Sequence, residues 1–393
     1  MPTSSSSDPL TVLVVAHNAV GASNRRRVDA LADLPDVRVT LLSPPWWHEE
    51  GRRIAARPPG VRPYAWHVGR TVATGNGTRH VYLTRLFSLV RSLQPDVVDV
   101  HEEPFSLAAL QALVARGALA PRAALVFYSA VNVPRRWRAP YRWVERLVLR
   151  QADGAYVPNG DVPGILAAKG LAARPAVELP LGVDVDRFAD ATPLDLRSRL
   201  PDAPRPYVGF LGRLEPVKGL DVLVEAAGRL ATPATIVVAG AGGERAALER
   251  TVRARGLGSR VRFLGAVPFE AVPAFVKALD VLVLPSVTLL PGHREQFGRV
   301  LAEAMAAGVA VIGSSSGAIP AVVGDAGLVV PERDPALLAD AIARLAVDLP
   351  LRAELAKRGQ RRSRERFAWP VVARRTVDEV YRPAVARRRR LPR

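Results

Sequence analysis

Two glutamates, Glu295 and Glu303, bracket the predicted start of a helix near Gly298. The first turn of a helix offers free backbone N–H groups and the positive end of the helix dipole, which suit an anion such as a diphosphate. Five residue steps from Gly298 to Glu303 correspond to a rise of roughly 7 Å, so Glu303 should lie deeper along the helix than Glu295. A nucleotide sugar fits this geometry, with its sugar hydroxyls on Glu295 and its ribose hydroxyls on Glu303.

Two cationic residues follow another apolar strand, which we predict over residues 207–211. Gly212 lets the backbone turn sharply at the end of this strand. Arg213 and Lys218 then direct two positive charges toward the same crevice. The plainer alternative is that both side chains form structural salt bridges.

Strands and helices must hold these residues in place. An apolar strand over residues 281–284 precedes Glu295, and the helix that follows carries apolar side chains at helical spacing, which predicts one buried face. The helix should end at Gly308, and a new strand should begin at once over residues 309–312. Taken alone, the two glutamates could be solvated residues of an ordinary surface helix. The complete string, with its glycine stop and following strand, disfavours that interpretation.

The string E-x-F-G-x-x-x-x-E-A-M-A-x-G, residues 295–308, resembles the donor-site motif of family 4 glycosyltransferases with the GT-B fold. The similarity extends from residue 12 to about residue 381. It implies an α/β protein of the GT-B class, in which two Rossmann-like parallel-sheet domains face each other across a cleft. It also implies sugar transfer from a nucleotide-diphosphate sugar to a hydroxyl acceptor, with retention of configuration.

The resemblance also implies roles for individual residues. Arg213, Lys218 and Glu295 would be the catalytic residues, the two cations acting in place of a metal. We therefore expect no metal site and no cofactor beyond the nucleotide-diphosphate sugar as co-substrate. The residues implied in donor binding are Gly21, Gly212, Gly240, Arg262, Phe297, Gly298, Arg299 and Glu303. Gly21 stands alone in its loop, because Ala22 takes the place of the family's second adjacent glycine.

The acceptor side is less well defined by the sequence. His101 lies in a segment that resembles the family's H-E-x-P string, just past a predicted strand, where open α/β sheets place ligands. A capped turn into the next helix explains the same segment equally well. Where many members of the family carry a histidine, this chain has Tyr128 to Asn132 instead. The acceptor-side candidates are therefore His101, Tyr128 and Asn132.

Composition limits the class of protein. The chain has 393 residues, 49% of them hydrophobic, and no cysteine, which predicts a globular protein of two or three domains without disulfides. The first ten residues lack the pattern of a signal peptide, and no apolar run approaches the length of a membrane span. We therefore expect a cytoplasmic protein. The net charge of +18 favours anionic partners, although an arginine-rich background composition explains much of it.

Two segments combine tryptophan with basic residues or histidine. Residues 134–143 are basic and aromatic together, and Trp46 and Trp47 stand in a predicted loop with exposed aromatic side chains. Such patches can contact anionic lipid headgroups. The sequence thus allows peripheral contact with the inner face of a membrane and an acceptor that is lipid-linked or a glycoside. Packing on the protein's own surface is the alternative.

The predicted organisation begins with a disordered N-terminus over 1–10 and an acceptor-binding Rossmann-like domain over 11–188. A polar linker over 189–206 leads to the donor-binding Rossmann-like domain over 207–367. A helix over 368–386 crosses back to the first domain, and 387–393 form a solvated basic tail. Asp184 and Asp186 spell a D-x-D metal signature, which we reject because this segment matches the GT-B interdomain pattern.

Two other functions compete with sugar transfer. One is a nucleotide-sugar epimerase with a similar two-domain fold. The other is a non-catalytic basic module that binds nucleic acid, which would need arginines interleaved with stacking aromatics along one groove. Only residues 134–143 fit that pattern and aromatic residues make up just 6% of the chain, so we do not expect nucleic acid as a partner.

Overall fold

The computed structural model describes residues 8–49, 52–58, 60–134, 136–171, 174–290 and 292–390. Most of the predicted disordered N-terminus, the last three residues of the predicted tail, and Arg135 of the basic and aromatic segment lie outside these ranges.

The strands of the described chain follow one another in short, mostly apolar segments. They are β1 (Leu10–Val15), β2 (Val37–Ser43), β3 (Trp46–Glu49), β4 (Arg52–Ala55), β5 (Ala65–Val68), β6 (Thr71–Val72), β7 (Val81–Tyr82), β8 (Val97–Val100), β9 (Ala124–Tyr128), β10 (Gly154–Val157), β11 (Ala176–Glu178), β12 (Tyr207–Leu211), β13 (Thr235–Ala239), β14 (Val261–Gly265), β15 (Val281–Leu284), β16 (Ala310–Ser314) and β17 (Gly327–Val330).

Helices alternate with most of these strands. They are α1 (Ala22–Ala32), α2 (Leu86–Leu93), α3 (Leu107–Leu119), α4 (Tyr141–Gln151), α5 (Val162–Leu166), α6 (Val185–Ala189), α7 (Leu196–Arg199), α8 (Leu220–Arg229), α9 (Arg245–Ala254), α10 (Val272–Lys277), α11 (Arg299–Ala306), α12 (Ile319–Val323), α13 (Pro335–Val347), α14 (Leu349–Arg362), α15 (Trp369–Arg375) and α16 (Arg382–Arg389).

The first compact unit comprises the chain up to Pro180 together with the segment from Trp369 onward. Its main sheet has the strand order β11-β10-β9-β8-β1-β2-β5, and every pair is parallel. Side chains of α2, α3 and α4 cover one face of this sheet. The other face is covered by α1 and the C-terminal segment, in which Val377 and Tyr381 are fully buried. Helices on both faces explain why β1 is mostly apolar on both sides and why all four residues of β8, Asp99 included, are buried.

The second unit spans Leu181–Ala368 and contains a parallel sheet of order β14-β13-β12-β15-β16-β17. One continuous apolar core fills it, with Phe210, Phe275 and Leu301 among its fully buried side chains. Both units are Rossmann-like, so the predicted α/β fold of the GT-B class is confirmed.

The boundary between the units differs from our prediction. We placed it after Phe188, with a linker over 189–206, but the structure assigns everything from Leu181 to the second unit. Phe188 and Leu196 are buried in that unit's core, and the Val183 N–H donates to the carbonyl of Phe367 at 2.7 Å. The polar composition hid these few apolar anchors, so the linker prediction was wrong.

The predicted basic tail is exposed at Arg389 and Arg390, but most of its described residues are part of a helix and bond to the first unit. Residues 387–389 continue α16 instead of ending before it. Arg388 donates to the carbonyl of Pro121 at 2.8 Å, and Arg389 pairs with Asp96 at 3.2 Å. Both arginines therefore bond to residues of the first unit. Across the described residues, none of the helices combines the length and the apolar character that crossing a membrane requires.

Candidate functional site

The second unit contains a buried ion pair between two of the predicted catalytic residues. The Nζ of Lys218 donates to Oε2 of Glu295 at 2.6 Å, and the hydroxyl of Ser286 donates to the same oxygen at 2.9 Å. Lys218 follows β12, Ser286 follows β15, and Glu295 lies before α11, so the site is at the carboxyl edge of the sheet. Open α/β sheets bind ligands at this edge.

Two glycines allow the loops to approach closely enough to form this pair. Gly219 has φ +63°, and a Cβ on it would lie 2.0 Å from the carbonyl oxygen of Pro285. Gly317 has φ +52°, and a Cβ there would lie 2.1 Å from the carbonyl oxygen of Glu295. Neither position can accept a side chain without moving the backbone, which explains why glycine stands at both.

The charge state of Glu295 follows from its partners. Burial raises the pKa of this carboxyl group, but the charge of Lys218 and the hydrogen bonds from Lys218 and Ser286 more than offset burial, so its pKa lies below the usual value. Glu295 is therefore ionised at neutral pH. A lysine ammonium has three donors, and the bond to Glu295 uses one of them. The remaining donors of Lys218 can serve an anionic ligand.

Glu303 lies in the second turn of α11 without a hydrogen-bond donor among the described residues. Gly298 caps the helix with φ +79°. Burial raises the pKa of the Glu303 carboxyl group, while the charges of Arg299 and Arg187 oppose that rise. The Glu303 carboxylate is only half-buried, so its oxygens are open to ligand hydroxyl groups.

Arg213 is arranged differently from Lys218. Its guanidinium donates to Glu215 at 2.6 Å, and the Arg213 side chain is 60% exposed. An exposed pair of this kind contributes about 0–1 kcal/mol. Arg213 can therefore exchange Glu215 for a phosphate at little cost, whereas Lys218 is already fixed beside Glu295.

The other predicted donor residues have mixed outcomes. Gly212 and Gly240 lie at the ends of neighbouring strands, and a Cβ on Gly240 would lie 1.8 Å from the carbonyl oxygen of Gly212. Arg262 donates to the carbonyl of Gly258 at 2.6 Å, so its guanidinium is bonded to the loop that precedes its own strand, β14. Phe297 is buried and meets Phe367 edge-on at 5.8 Å. Its ring belongs to the core, so a donor contact of this residue would have to come from its backbone.

The first unit brings together three residues that the sequence did not single out. Nδ1 of His17 lies 2.6 Å from Oε2 of Glu102, and Nε2 of His80 lies 3.3 Å from Oε1 of the same carboxylate. His17 follows β1 and Glu102 follows the neighbouring β8. Complete burial by itself raises the pKa of the Glu102 carboxyl group. The two histidines outweigh burial and lower this pKa to about 2.

Trp47 encloses these histidines. Its ring lies 4.3 Å from that of His17 and 4.9 Å from that of His80. We predicted an exposed aromatic loop at this point, but Trp46 and Trp47 begin a hairpin of β3 and β4, and both are half-buried. The prediction of exposed tryptophans was therefore wrong.

His101, the predicted acceptor-side histidine, lies in a buried network and not at an open surface. It contacts the hydroxyl of Tyr156, lies 3.3 Å from Arg27, and stacks on Tyr128 with ring centres 5.4 Å apart. Burial, together with the charge of Arg27, places the pKa of His101 well below its usual value. The ring is thus neutral and orients its neighbours.

The remaining first-unit candidates are placed as follows. Asn132 is buried at 3% exposure, which limits its access to an acceptor. Gly21 is the N-cap of α1, with extended backbone angles. The hydroxyl of Ser129 donates to Glu103 at 2.6 Å, between Tyr128 and Asn132. Glu103, like Glu102, is a carboxylate just past the end of β8, and neither was among the predicted site residues.

Comparison with known proteins agrees with this arrangement. A family model described as glycosyl transferases group 1 matches residues 194–362, which include both glutamates and both cations of the second unit. A GDP-mannose-dependent alpha-(1-6)-phosphatidylinositol monomannoside mannosyltransferase of Mycobacterium tuberculosis is 32% identical over 357 residues, covering 86% of this chain and 88% of that protein.

Two further comparisons bear on the fold and on partial similarity. A D-inositol 3-phosphate glycosyltransferase of Salinispora tropica is 35% identical over 230 residues, 53% of this chain and 46% of that protein, so the aligned part spans about half of this relative. The crystal structure of Anabaena HepE in complex with UDP superposes with a TM-score of 0.71 at 18% identity, covering 94% of this chain and 99% of that one.

Proposed function

The chain belongs to the glycosyl transferases group 1 family, and we propose that it transfers a sugar from a nucleotide-diphosphate sugar to a hydroxyl acceptor. The observation that supports this most directly is the buried Lys218–Glu295 pair at the carboxyl edge of the second sheet, beside the start of α11. The pair supplies a fixed cation, and the half-buried Glu303 supplies a carboxylate acceptor on α11.

The proposed chemistry assigns one task to each group. The diphosphate binds at the start of α11, where Lys218 and Arg213 stabilise the negative charge that grows as the sugar–phosphate bond breaks. The sugar hydroxyls bind near Glu295 and the ribose hydroxyls bind Glu303. The acceptor oxygen attacks from the face that the phosphate leaves, the phosphate takes the acceptor's proton, and configuration is retained. No step of this scheme requires a metal ion.

The named relatives suggest the kind of donor and acceptor. The mycobacterial relative uses GDP-mannose and a phosphatidylinositol monomannoside, and the Salinispora relative acts on an inositol phosphate. We propose a polyol or glycoside acceptor, free or lipid-linked. A thermal-shift panel with UDP-, GDP-, ADP- and dTDP-sugars identifies the donor, because a ligand at a hundred times its Kd raises stability by about 2.7 kcal/mol. Absence of any shift across the panel would contradict the proposed function.

We expect Glu303→Ala to weaken nucleotide binding by about 1.5–3 kcal/mol, because charged hydrogen bonds to ribose hydroxyls are lost. This corresponds to an increase of roughly tenfold to a hundredfold in Kd. Titration calorimetry with the nucleotide identified by the panel measures it. Glu354→Ala is the matched control, since Glu354 pairs only at the surface with Arg358. Unchanged affinity in Glu303→Ala would remove the ribose role.

Membrane contact rests on one exposed helix face in the first unit. On α4, Trp143 is 61% exposed and Leu147 is 46% exposed, and the exposed Arg142 and Arg146 flank them. Spacings of three and four residues place all four side chains on one face. An anionic bilayer would accept the apolar pair at its interface and the arginines at its headgroups.

We expect the protein to sediment with anionic vesicles at low salt and to be released at high salt. Each arginine near such a surface contributes about 1 kcal/mol, and salt screens this attraction. Arg142→Glu combined with Arg146→Glu should abolish sedimentation. The same charge reversals at the exposed Arg250 and Arg253 of the second unit are the control. If the wild-type protein stays in the supernatant, a water-soluble acceptor is the better proposal.

A further inference from the structure

The His17, His80 and Glu102 side chains of the first unit form a set of ligands that the transfer chemistry does not use. Their ligand atoms all lie within 4.8 Å of one another. Two ligands that bind one zinc ion at about 2.1 Å are at most about 4.2 Å apart. A small rotation of the His17 ring, which is 23% exposed, therefore suffices to close the set around one ion.

The hydrogen bonding of His80 leaves one ring nitrogen without a donor or acceptor of suitable geometry. Nδ1 must donate to the carbonyl of Asn76, 3.1 Å away, because a carbonyl only accepts. Nε2 then faces Oε1 of Glu102 at 3.3 Å without forming a hydrogen bond. The His80 side chain is fully buried, so this nitrogen lies where water does not reach, and one ion beside it and Oε1 would give both atoms a partner.

The hydrogen bond from His80 Nδ1 to the carbonyl of Asn76 is of the kind that metal-binding histidines make. Histidine ligands almost always donate their other ring N–H to a carbonyl or carboxylate, which fixes the ring and directs the free nitrogen to the metal. Asn76 provides this for His80. One oxygen of Glu102 accepts the backbone N–H of His17 at 3.1 Å, which orients the carboxylate.

We propose that His17 Nδ1, His80 Nε2 and a Glu102 oxygen bind one divalent cation of the zinc class. Two imidazoles and one carboxylate form a donor set that zinc accepts, with a fourth position left for water. Binding displaces to solvent the proton that His17 Nδ1 shares with Glu102. The exposed edge of His17 provides the entry path, and Trp47 closes the opposite side.

The role that follows is structural. The three ligands come from the loop after β1, the loop after β8 and the segment before β7. One ion would join these segments, and Trp47 packs on both histidines, so the hairpin of β3 and β4 would be held as well. All three ligands belong to the first unit, so this site does not depend on the sugar-transfer proposal.

The test uses the full-length protein stripped of metal with a chelator and then titrated with zinc against a fluorescent zinc indicator. We expect one equivalent to bind tightly in the wild type. Loss of a group that only hydrogen-bonds to a metal ligand costs roughly 10- to 100-fold in metal affinity. His17 is itself a proposed ligand, so His17→Ala should weaken binding about a hundredfold or more. His48→Ala, which removes an exposed histidine of β3, is the matched control and should bind like the wild type.

Thermal unfolding provides a second measurement that does not require the buried variants to fold. Zinc should raise the unfolding midpoint of the wild type and of His48→Ala, EDTA should reverse the rise, and His17→Ala should show none. The proposal is overturned if His17→Ala binds zinc as the wild type does, or if the wild type binds less than one equivalent. In either case, the three side chains form an ion triad in which a proton on His80 takes the place of the metal.

Discussion

Replacing Lys218 by alanine should reduce turnover about a hundredfold or more while the protein remains folded. Lys218 supplies a preorganised charge beside the departing phosphate, and loss of one such group typically costs two to three orders of magnitude in rate. The Lys218 side chain is only 17% exposed and is held by Glu295 at 2.6 Å, so its position is fixed before substrate binds. Steady-state rates with saturating donor sugar measure the effect.

The buried partner of Lys218 requires a control. In Lys218→Ala the Glu295 carboxylate keeps Ser286 as a donor but loses its counter-ion, which raises the pKa of Glu295 and destabilises the fold. The double variant Lys218→Ala/Glu295→Gln removes the uncompensated charge. It should regain stability without regaining turnover. Because Glu295 itself binds the sugar in the proposed reaction, the double variant tests stability alone, and an unfolding midpoint no higher than that of Lys218→Ala would contradict the unpaired charge as the cause.

Arg213→Ala belongs to the same experiment and should also lower turnover, with a smaller effect on stability because its pair with Glu215 is exposed. Lys357→Ala, at an exposed position of the second unit, controls for loss of positive charge. EDTA should leave wild-type turnover unchanged below the unfolding transition, since in the proposed reaction the two cations take the place of a metal. Near-normal rates in both single variants would refute the assignment.

The second-unit site could be predicted because its geometry is encoded locally. Glu295 and Glu303 are separated by a helix start, and the glycine that caps it appears in the sequence. Lys218 and Glu295 are far apart along the chain, but each follows a strand of the same parallel sheet, so their meeting at one edge was expected. Periodicity could not reveal how close the loops come, which Gly219 and Gly317 permit.

The first-unit cluster could not be predicted by the same route. Its signal was partly visible, since His17 and Glu102 each follow a buried strand, and these strands prove to be neighbours. The sequence drew attention to His101, the residue before Glu102. The His101 side chain contacts Arg27 and Tyr156, whereas that of Glu102 contacts His17 and His80. His80 comes from a stretch without periodicity, where the order β5, β6 and β7 depends on tertiary contacts and not on local pattern.

The unit boundary was missed for a related reason. Residues 189–206 are polar on average, but a few apolar side chains decide where a segment packs. Phe188 and Leu196 bury almost completely in the second unit, and the carbonyl of Ala274 accepts the N–H of Leu194 at 2.8 Å. The average composition of the segment hides these few residues, which attach it to the second unit.

Asp99 is the acceptor at the centre of the first unit, and Asp99→Ala should destabilise that unit by about 3–5 kcal/mol. Asp99 is fully buried and accepts hydrogen bonds from Arg27 at 3.2 Å, Tyr156 at 3.0 Å and Tyr381 at 2.6 Å. Burial by itself lowers the pKa of Arg27. The charge of Asp99 and the tyrosine partners outweigh burial, so the pKa of Arg27 lies above its usual value. Arg27 therefore stays charged, and removing Asp99 leaves that cation buried without compensation, which typically costs this much.

Hydrogen exchange measures this effect unit by unit, since amides of β8 report the first unit and those of β12 report the second within one sample. Exchange from β8 should accelerate strongly in Asp99→Ala while exchange from β12 stays unchanged. Asp36→Ala is the matched control, because Asp36 also pairs with the C-terminal segment, through Arg374 at 2.7 Å, but at the surface. Its cost should be about 1 kcal/mol or less.

A second variant separates charge from packing in the same network. Arg27→Met combined with Asp99→Ala removes both charges, so it should recover part of the stability lost in Asp99→Ala alone, because no ion remains buried. Tyr381→Phe should cost about 1.5–3 kcal/mol, the value of a hydrogen bond to a charged group. If Asp99→Ala and Asp36→Ala change the exchange of β8 equally, the buried ion pair does not anchor the C-terminal segment, and apolar contacts of Val377 and Tyr381 must account for it.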